Sequence, residues 1–166
     1  RGAPGTMAAM RSLNVAQIVP RTEAEGPGVR YSLWVQGCPM RCPGCCNPDF
    51  LVFEERSRML VGDVVEQILA DSTEGISLLG GEPFSQADAL ADVAEAVRKA
   101  GRSVMVYTGH TLAELRAMPG EGVARLIAAT DLLVDGRYDA ALRTTERRWV
   151  GSENQVMHFL SDRYHP

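Results

Sequence analysis

Gly37-Cys38-Pro39-Met40-Arg41-Cys42-Pro43-Gly44-Cys45-Cys46-Asn47 contains all four cysteines of the chain. Cys38, Cys42 and Cys45 stand in the spacing C-x3-C-x2-C, close enough for three thiolates of one loop to face one centre. Pro39, Pro43 and Gly44 bend the loop and keep it out of helix and strand. Three sulfurs are one short of the four that close a structural zinc site or saturate a cubane cluster. A cube held here therefore keeps one iron open to a chelating small molecule. Two other readings stand beside this one. A zinc knuckle could use Cys38, Cys42, Cys45 and Cys46, although zinc sites usually pair two separated ligand groups and no second Cys or His group lies nearby. A disulfide with spare thiols needs an oxidising compartment, and nothing in the sequence indicates one.

Outward from this loop the chain alternates strand and helix. Leu13 to Val19 reads as a first strand and Pro20 to Arg30 as a polar loop with a tight Gly26-Pro27-Gly28 turn. Tyr31 to Val35 is a second strand that delivers the chain into the cysteines. Phe50 to Met59 reads as irregular and polar. Val61, Val64, Val65, Ile68 and Leu69 recur at helical spacing. Ile76 to Leu79 is a strand ending in Gly80-Gly81-Glu82-Pro83. Ser85 is expected to cap a helix that buries Leu90, Val93, Ala94 and Val97 and stops at Gly101. Val104 to Tyr107 is a strand ending in Thr108-Gly109-His110. Thr111-x-x-Glu114 is a capping box for a short helix that ends before Pro119. Val123 to Ala129 is helical, Asp131 to Val134 is a strand ending in Asp135-Gly136, and Val156 to Leu160 is the last strand.

This alternation predicts an α/β fold whose sheet is mostly parallel with right-handed crossovers. The cysteine loop, Gly-Gly-Glu-Pro, Thr-Gly-His and Asp-Gly then each follow the C-terminal end of a strand, the edge that carries the active site in β/α barrels. About five or six strands are too few to close an eight-stranded barrel, so the expected architecture is an open, partial (β/α) barrel. Residues 13–166 read as a single domain, with 1–12 a flexible N-terminus or a non-native remnant.

The 166 residues are enough for one real core. A net charge of −4 and a pI near 5.4 argue against a nucleic-acid binder driven by phosphate contacts. All but one of the basic residues are arginine, which reads as genome bias. No apolar run approaches the length of a membrane span, no signal peptide is visible, and the clustered cysteines point to a reducing cytoplasm.

Gly80-Gly81-Glu82 is the second chemical signal. Two glycines let a ligand approach the backbone and its free carbonyls, and Glu82 adds a carboxylate. Together they suit a ligand ammonium group. Asp135 ends a strand on the same edge and is expected to face the reaction chamber, the competing reading being a helix-capping or turn aspartate.

Taken together, these residues resemble the radical S-adenosylmethionine (SAM) superfamily. The resemblance is strongest to the small activating enzymes of glycyl-radical enzymes, above all the activase of anaerobic ribonucleotide reductase. It rests on Gly26-Pro27-Gly28-x-Arg30, the loop from Gly37 to Asn47, Gly80 to Pro83, Tyr107-Thr108-Gly109, Asp135-Gly136 and Gly151-Ser152-x-Asn154-Gln155. It implies that Cys38, Cys42 and Cys45 hold a [4Fe-4S] cluster whose fourth iron is chelated by the amine and carboxylate of SAM. It implies that Gly80, Gly81 and Glu82 receive the amino group, with Pro83, Asn47, Thr108 and Asn154 as further cofactor-binding positions and Asp135 as a catalytic one. An electron from a donor such as a flavodoxin or ferredoxin then cleaves SAM to a 5′-deoxyadenosyl radical, which takes hydrogen from a glycine of a protein partner.

The chain departs from the family at Cys46, where an aromatic residue or histidine is usual, and at His110, where an aromatic often follows Thr-Gly. A related branch that modifies peptides or other proteins is therefore an alternative reading, and a non-catalytic Fe–S or zinc interaction module is a second. Cys46 is expected to be a free thiol that does not ligate. Trp34 reads as core and His158 as packing or surface. Arg143, Arg147 and Arg148 read as a solvated face, or else as a docking patch for an acidic partner.

Overall fold

The computed structural model describes residues 4–165. Seven strands form one sheet in the order β3-β1-β2-β4-β5-β6-β7. They are β1 (Ser12–Thr22), β2 (Arg30–Val35), β3 (Ser57–Leu60), β4 (Gly75–Gly80), β5 (Ser103–Tyr107), β6 (Leu132–Asp135) and β7 (Val156–Phe159). The helices are α1 (Pro4–Ala9), α2 (Val61–Leu69), α3 (Ala87–Lys99), α4 (Leu112–Ala117) and α5 (Glu121–Ala129).

The sheet is mixed, and the expectation of a mostly parallel one is corrected. β2, β4, β5 and β6 run parallel, each joined to the next by a connection containing at least one helix. β1 pairs antiparallel with β2 and with β3, and β7 pairs antiparallel with β6. The β1–β2 connection carries no helix to cross the sheet, so its strands can only meet as a hairpin. The strand count also exceeds the expected five or six. All of Ser57–Leu60 but its last residue lies in the stretch read as irregular, yet it pairs from Ser12↔Leu60 to Val15↔Ser57. Three of its four side chains are exposed, so no alternation marked it. Residues 1–12, expected to be a flexible extension or remnant, include α1 and the first residue of β1; the part of that expectation that falls on 1–3 lies outside the described residues.

Strand alternation sorts the core into two layers. Tyr31, Leu33, Val35, Ile76, Leu78, Val104, Val106 and Leu133 face the helices and meet Val64, Ile68, Leu90, Val93, Val97, Leu115 and Leu126. Each such side chain contributes roughly 1.5–3 kcal/mol by leaving water. On the opposite face Met105, Leu132 and Val134 meet Val150, with Tyr107, Trp149 and Tyr164 beside them. No helix covers that face among the described residues; the segment between β6 and β7 does.

Two helix starts are informative. The capping box at α4 is present, with Thr111 Oγ1 accepting from Glu114 N and Glu114 accepting from Thr111 N. Ser85 does not cap α3. A 3-10 turn, Pro83–Gln86, precedes that helix, and Glu82 caps the turn through Phe84 N. Pro83 at the first position of the turn moves the cap to the residue before it.

Candidate active site

Because β2, β4, β5 and β6 are parallel, their C-terminal ends share one edge. From β2 the chain passes through Gln36, which is buried, and into the cysteine loop. Gln36 Nε2 donates to the carbonyls of Asp49 (3.2 Å) and Val52 (2.7 Å), while Gly37 N and Cys38 N donate to Phe50 O (2.8 Å) and Leu51 O (3.0 Å). The end of the loop is thereby laced to its start. Gln86 Nε2 ties Gln36 O to β1 through Asn14 O.

A cavity of about 350 Å³ opens at this edge, within the size range of small-molecule sites. Cys38, Cys42, Cys45 and Cys46 line one end, and none is disulfide-bonded. Cys38 is buried, Cys42 and Cys45 are half-buried and Cys46 is exposed. Asn47 N donates to Cys45 Sγ at 3.4 Å, the kind of peptide contact that tunes cluster sulfurs. Burial pushes the Cys38 thiol up, so its thiolate needs an electropositive centre to sit there. Among the described residues no three His, Cys, Asp or Glu side chains gather tightly enough for a single metal ion. Zinc needs its sulfurs about 2.3 Å from one point; a four-iron cube spreads them wider. Three thiols on one cavity wall, with an N–H already aimed at a sulfur, are a donor set that fits such a cluster.

Gly80, Gly81 and Glu82 form the adjoining wall. Gly81 N donates to Val35 O (2.9 Å) and Glu82 N to Gly37 O (2.8 Å), so the exit of β4 is stitched to the root of the cysteine loop. The Glu82 side chain then reaches β5. Oε1 accepts from Phe84 N (3.0 Å) and Thr108 Oγ1 (2.8 Å), and Oε2 from Gly109 N (2.9 Å). Burial raises this carboxyl to about 7 against the pull of those three donors. A carboxylate offers about four acceptor positions, so one remains for a ligand.

Asn47 and Thr108 also line the cavity, and Pro83 is buried in the turn behind it. Two expected residues stand elsewhere. Asp135 is two positions after Leu133, and strand period places both on the helix-facing side. Its Oδ2 accepts from Leu112 N (2.6 Å) at the start of α4 and meets His158 Nε2 at 2.8 Å. The helix-capping reading of Asp135 therefore replaces the chamber-facing one, and His158 is its partner. Asn154 is turned outward, donating to Arg137 O at 2.8 Å.

Its neighbour Gln155 takes the inward place. Gln155 Oε1 accepts from Gly151 N (2.8 Å) and Ser152 N (3.2 Å), and Nε2 donates to Gly136 O (2.9 Å). This bracing presents Tyr138, Trp149 and Val150 to the cavity. Trp149 is held at φ 63, and Arg148 stacks on its ring at 4.7 Å. Arg147 is spent on the carbonyls of Glu153 and Gln155. The sequence reading quoted Gln155 within Gly151-Ser152-x-Asn154-Gln155 but gave the cofactor role to Asn154, and it missed Tyr138, Trp149 and Glu25, which also line the cavity; Glu25 adjoins the quoted Gly26-Pro27-Gly28 piece, and that adjacency was the available signal.

The "4Fe-4S single cluster domain" family profile matches residues 24–158. The chain is 31% identical over 159 residues to the anaerobic ribonucleoside-triphosphate reductase-activating protein of Escherichia coli K12, covering 89% of this chain and 99% of that one. The protein of the same name from Salmonella typhi is 33% identical over 155 residues, 87% of this chain and 97% of that one. Its namesake from phage T4 is 25% identical over 152 residues, 86% and 92%. Among solved structures, QueE from Escherichia coli superposes with a TM-score of 0.57 at 17% identity over 67% of this chain, which spans 58% of the QueE chain; that likeness concerns the fold.

Proposed function

The chain belongs to the 4Fe-4S single cluster family and, within it, to the anaerobic ribonucleoside-triphosphate reductase-activating proteins, and we propose that Cys38, Cys42 and Cys45 hold the cluster of that activity at the head of the cavity. It is a radical SAM enzyme with a [4Fe-4S] cluster and SAM as cofactors, and its substrate is a protein. Bound together, the cluster and SAM supply a 5′-deoxyadenosyl radical able to take hydrogen from a glycine Cα.

The rest is the work of this chain's own residues. The Asn47 N–H steadies the Cys45 sulfur. Glu82 keeps one acceptor position for the SAM ammonium, and the Gly80 and Gly81 backbone lies beside it. Leu79, Trp149 and Val150 give that end of the cavity an apolar wall that excludes water from a reactive primary radical. Tyr138 and the loop braced by Gln155 complete the wall. We read the seven-stranded sheet as an open, partial (β/α) barrel in one domain, whose uncovered side admits the substrate. The substrate is the glycine segment of an anaerobic ribonucleoside-triphosphate reductase. The electron donor is of the flavodoxin or ferredoxin class, and the working compartment is the reducing cytoplasm, where these thiols stay free.

The observation that carries this reading is the shared cavity wall of Cys38, Cys42 and Cys45 with Gly80, Gly81 and Glu82. The test is to mix the anaerobically reconstituted, reduced enzyme with SAM and the reductase and record paramagnetic resonance. A glycyl-radical signal on the reductase that needs enzyme, SAM and all three cysteines is expected. Full coupled turnover on a free small metabolite with no protein present would sink the proposal.

A further inference from the structure

Most arginines of the chain are already occupied. Nine lie within 4.0 Å of a carboxylate, Arg30 and Arg102 donate to neutral oxygens, and among the described residues the side chains of Arg41, Arg116, Arg143 and Arg148 make neither an ion pair nor a hydrogen bond.

Three of those four gather at the cysteine loop. Arg41 is the sole charged residue from Gly37 to Pro48 and directly precedes Cys42. Gly44 of the same loop abuts Ala140, since a Cβ on it would stand 3.1 Å from the Ala140 Cβ. Ala140 opens a 3-10 turn, Ala140–Leu142, that Arg143 closes as its C-cap. Arg148 lies over the Trp149 ring, and Trp149 lines the cavity with Cys42 and Cys45. All three arginines are exposed, as is Leu142 beside Arg143. Arg147 is held by Glu153 and two carbonyls and stands apart from them.

The patch is built rather than incidental. Arg41 at φ 49 and Trp149 at φ 63 are the two non-glycine residues with positive φ among those described. That conformation is unfavourable for any residue with a side chain, and it persists where the surroundings enforce it. One of the two is an arginine of the patch; the other is the platform under a second arginine. The chain as a whole carries a net charge of −4, so it repels an acidic protein except where the local sign is reversed. Residues 140–152 hold three arginines and one carboxylate, Glu146.

We infer that Arg41, Arg143 and Arg148 form the docking face for the electron donor, a redox protein whose own face is acidic. The proposed function, on which this rests, draws one electron from the donor for each SAM cleaved. The electron and the hydrogen atom make different demands. Hydrogen abstraction needs the glycine Cα in contact with the radical, so the reductase must reach into the cavity. An electron tunnels through a thin layer of protein, so the donor need only press on the outer side of the wall. The cysteine loop is such a wall: Pro39, Arg41, Pro43 and Gly44 are exposed, Cys38 is buried, and Cys42 and Cys45 are half-buried. Positive charge on that outer side steers an acidic donor toward the cluster and leaves the cavity to the reductase.

The test follows reduction of the cluster-loaded enzyme by its absorbance in an anaerobic stopped flow. The protein donors are flavodoxin hydroquinone and a reduced ferredoxin. Reduced methyl viologen is the small donor that needs no docking face. The variants are Arg143→Gln with Arg148→Gln, and the triple that adds Arg41→Gln, with iron content and circular dichroism as controls. At low salt the triple variant is expected to lower the second-order rate constant with a protein donor about tenfold or more, and the loss is expected to fade near ~0.5 M salt, where exposed charges are screened. Lysine at all three positions keeps the charge and should keep the rate, and the viologen rate should not fall in any variant. Unchanged rates and salt dependence with both protein donors overturn the inference, as does a wild type that neither of them reduces. A matching fall in the viologen rate also overturns it, by giving the arginines a part in holding the cluster. So does a lost affinity for the reductase at an unchanged donor rate, which assigns the patch to the substrate. If the viologen-reduced wild type with SAM places no radical on the reductase, the proposed function fails; if it does while the donor rates ignore the arginines, only this inference fails.

Discussion

Replacing Gly81 with alanine adds a methyl 2.6 Å from the Gly37 carbonyl carbon and 2.8 Å from Phe50 O. Gly81 is not in the left-handed region, so space and not backbone conformation excludes the side chain. Both neighbours are main chain and cannot swing aside. The Gly37 oxygen lies closer still, so bringing even the Gly37 carbon from 2.6 Å to the 3.4 Å of ordinary contact moves that peptide by at least about 0.8 Å. The movement strains two hydrogen bonds, Glu82 N to Gly37 O and Gly37 N to Phe50 O, each 2.8 Å. Overpacking costs ~1–3 kcal/mol and each of the two bonds about 1 kcal/mol, so roughly 3–5 kcal/mol is at stake. For a domain of this size that lowers Tm by about 6–20 °C. Gly37 leads directly into Cys38, so iron retained after anaerobic reconstitution should fall as well. Gly101→Ala is the control: its φ is +81 but nothing lies within 4 Å, so it should cost only ~1–2 kcal/mol and leave iron content alone. Calorimetry and iron analysis on the two variants decide the matter. Equal, small effects in both would refute the claim that Gly81 exists to let the strand end meet the cysteine loop.

Cys45→Ser is expected to lose the cluster and Cys46→Ser to keep about four irons per chain, the stoichiometry of a cubane; the reverse would move the third ligand to Cys46. Asp135→Asn should lower stability by ~1–3 kcal/mol through its charged hydrogen bonds to Leu112 N and His158 while SAM cleavage persists, and lost cleavage at unchanged Tm would return Asp135 to the chamber. Glu82 has a folded pKa of about 7 against 4.5, so its contribution to apoprotein stability is fully present below about 4.5 and is lost as pH rises through about 7. One proton sets a slope of at most about 1.4 kcal/mol per pH unit. Urea unfolding of wild type and Glu82→Gln at several pH values should show the wild type losing ground to the variant across that window, and a constant difference would show that the carboxyl is not perturbed.

Elements with a strong local signal were legible in the sequence. The apolar spacing from Val61 to Leu69 marks α2 to the residue, and Thr111 with Glu114 marks the start of α4. The loops on one strand edge could be read because parallel strands send all their C-terminal ends the same way. β3 could not, because an exposed edge strand is held by backbone pairing alone. Asp135 failed on parity. The sequence showed a carboxylate at a strand end, but one residue decides which face it joins, and the register with Leu133 was not visible beforehand. Asn154 and Gln155 failed alike: either amide could have turned inward, and only the bracing to Gly136 and Gly151 selects Gln155. The two glycines of Gly-Gly-Glu-Pro were read as room for a ligand. For Gly81 the nearer cause is the Gly37 and Phe50 carbonyls.

The central claim is that this chain takes a hydrogen atom from a glycine of its protein partner, and isotope transfer tests it most directly. The reductase is prepared with glycine deuterated at Cα and incubated anaerobically with the reduced, cluster-loaded enzyme and SAM. The 5′-deoxyadenosine formed is then analysed by mass spectrometry. The account predicts deuterium in its 5′-methyl group, in proportion to the glycyl radical counted on the reductase. Product formed in that same proportion but free of deuterium would contradict it.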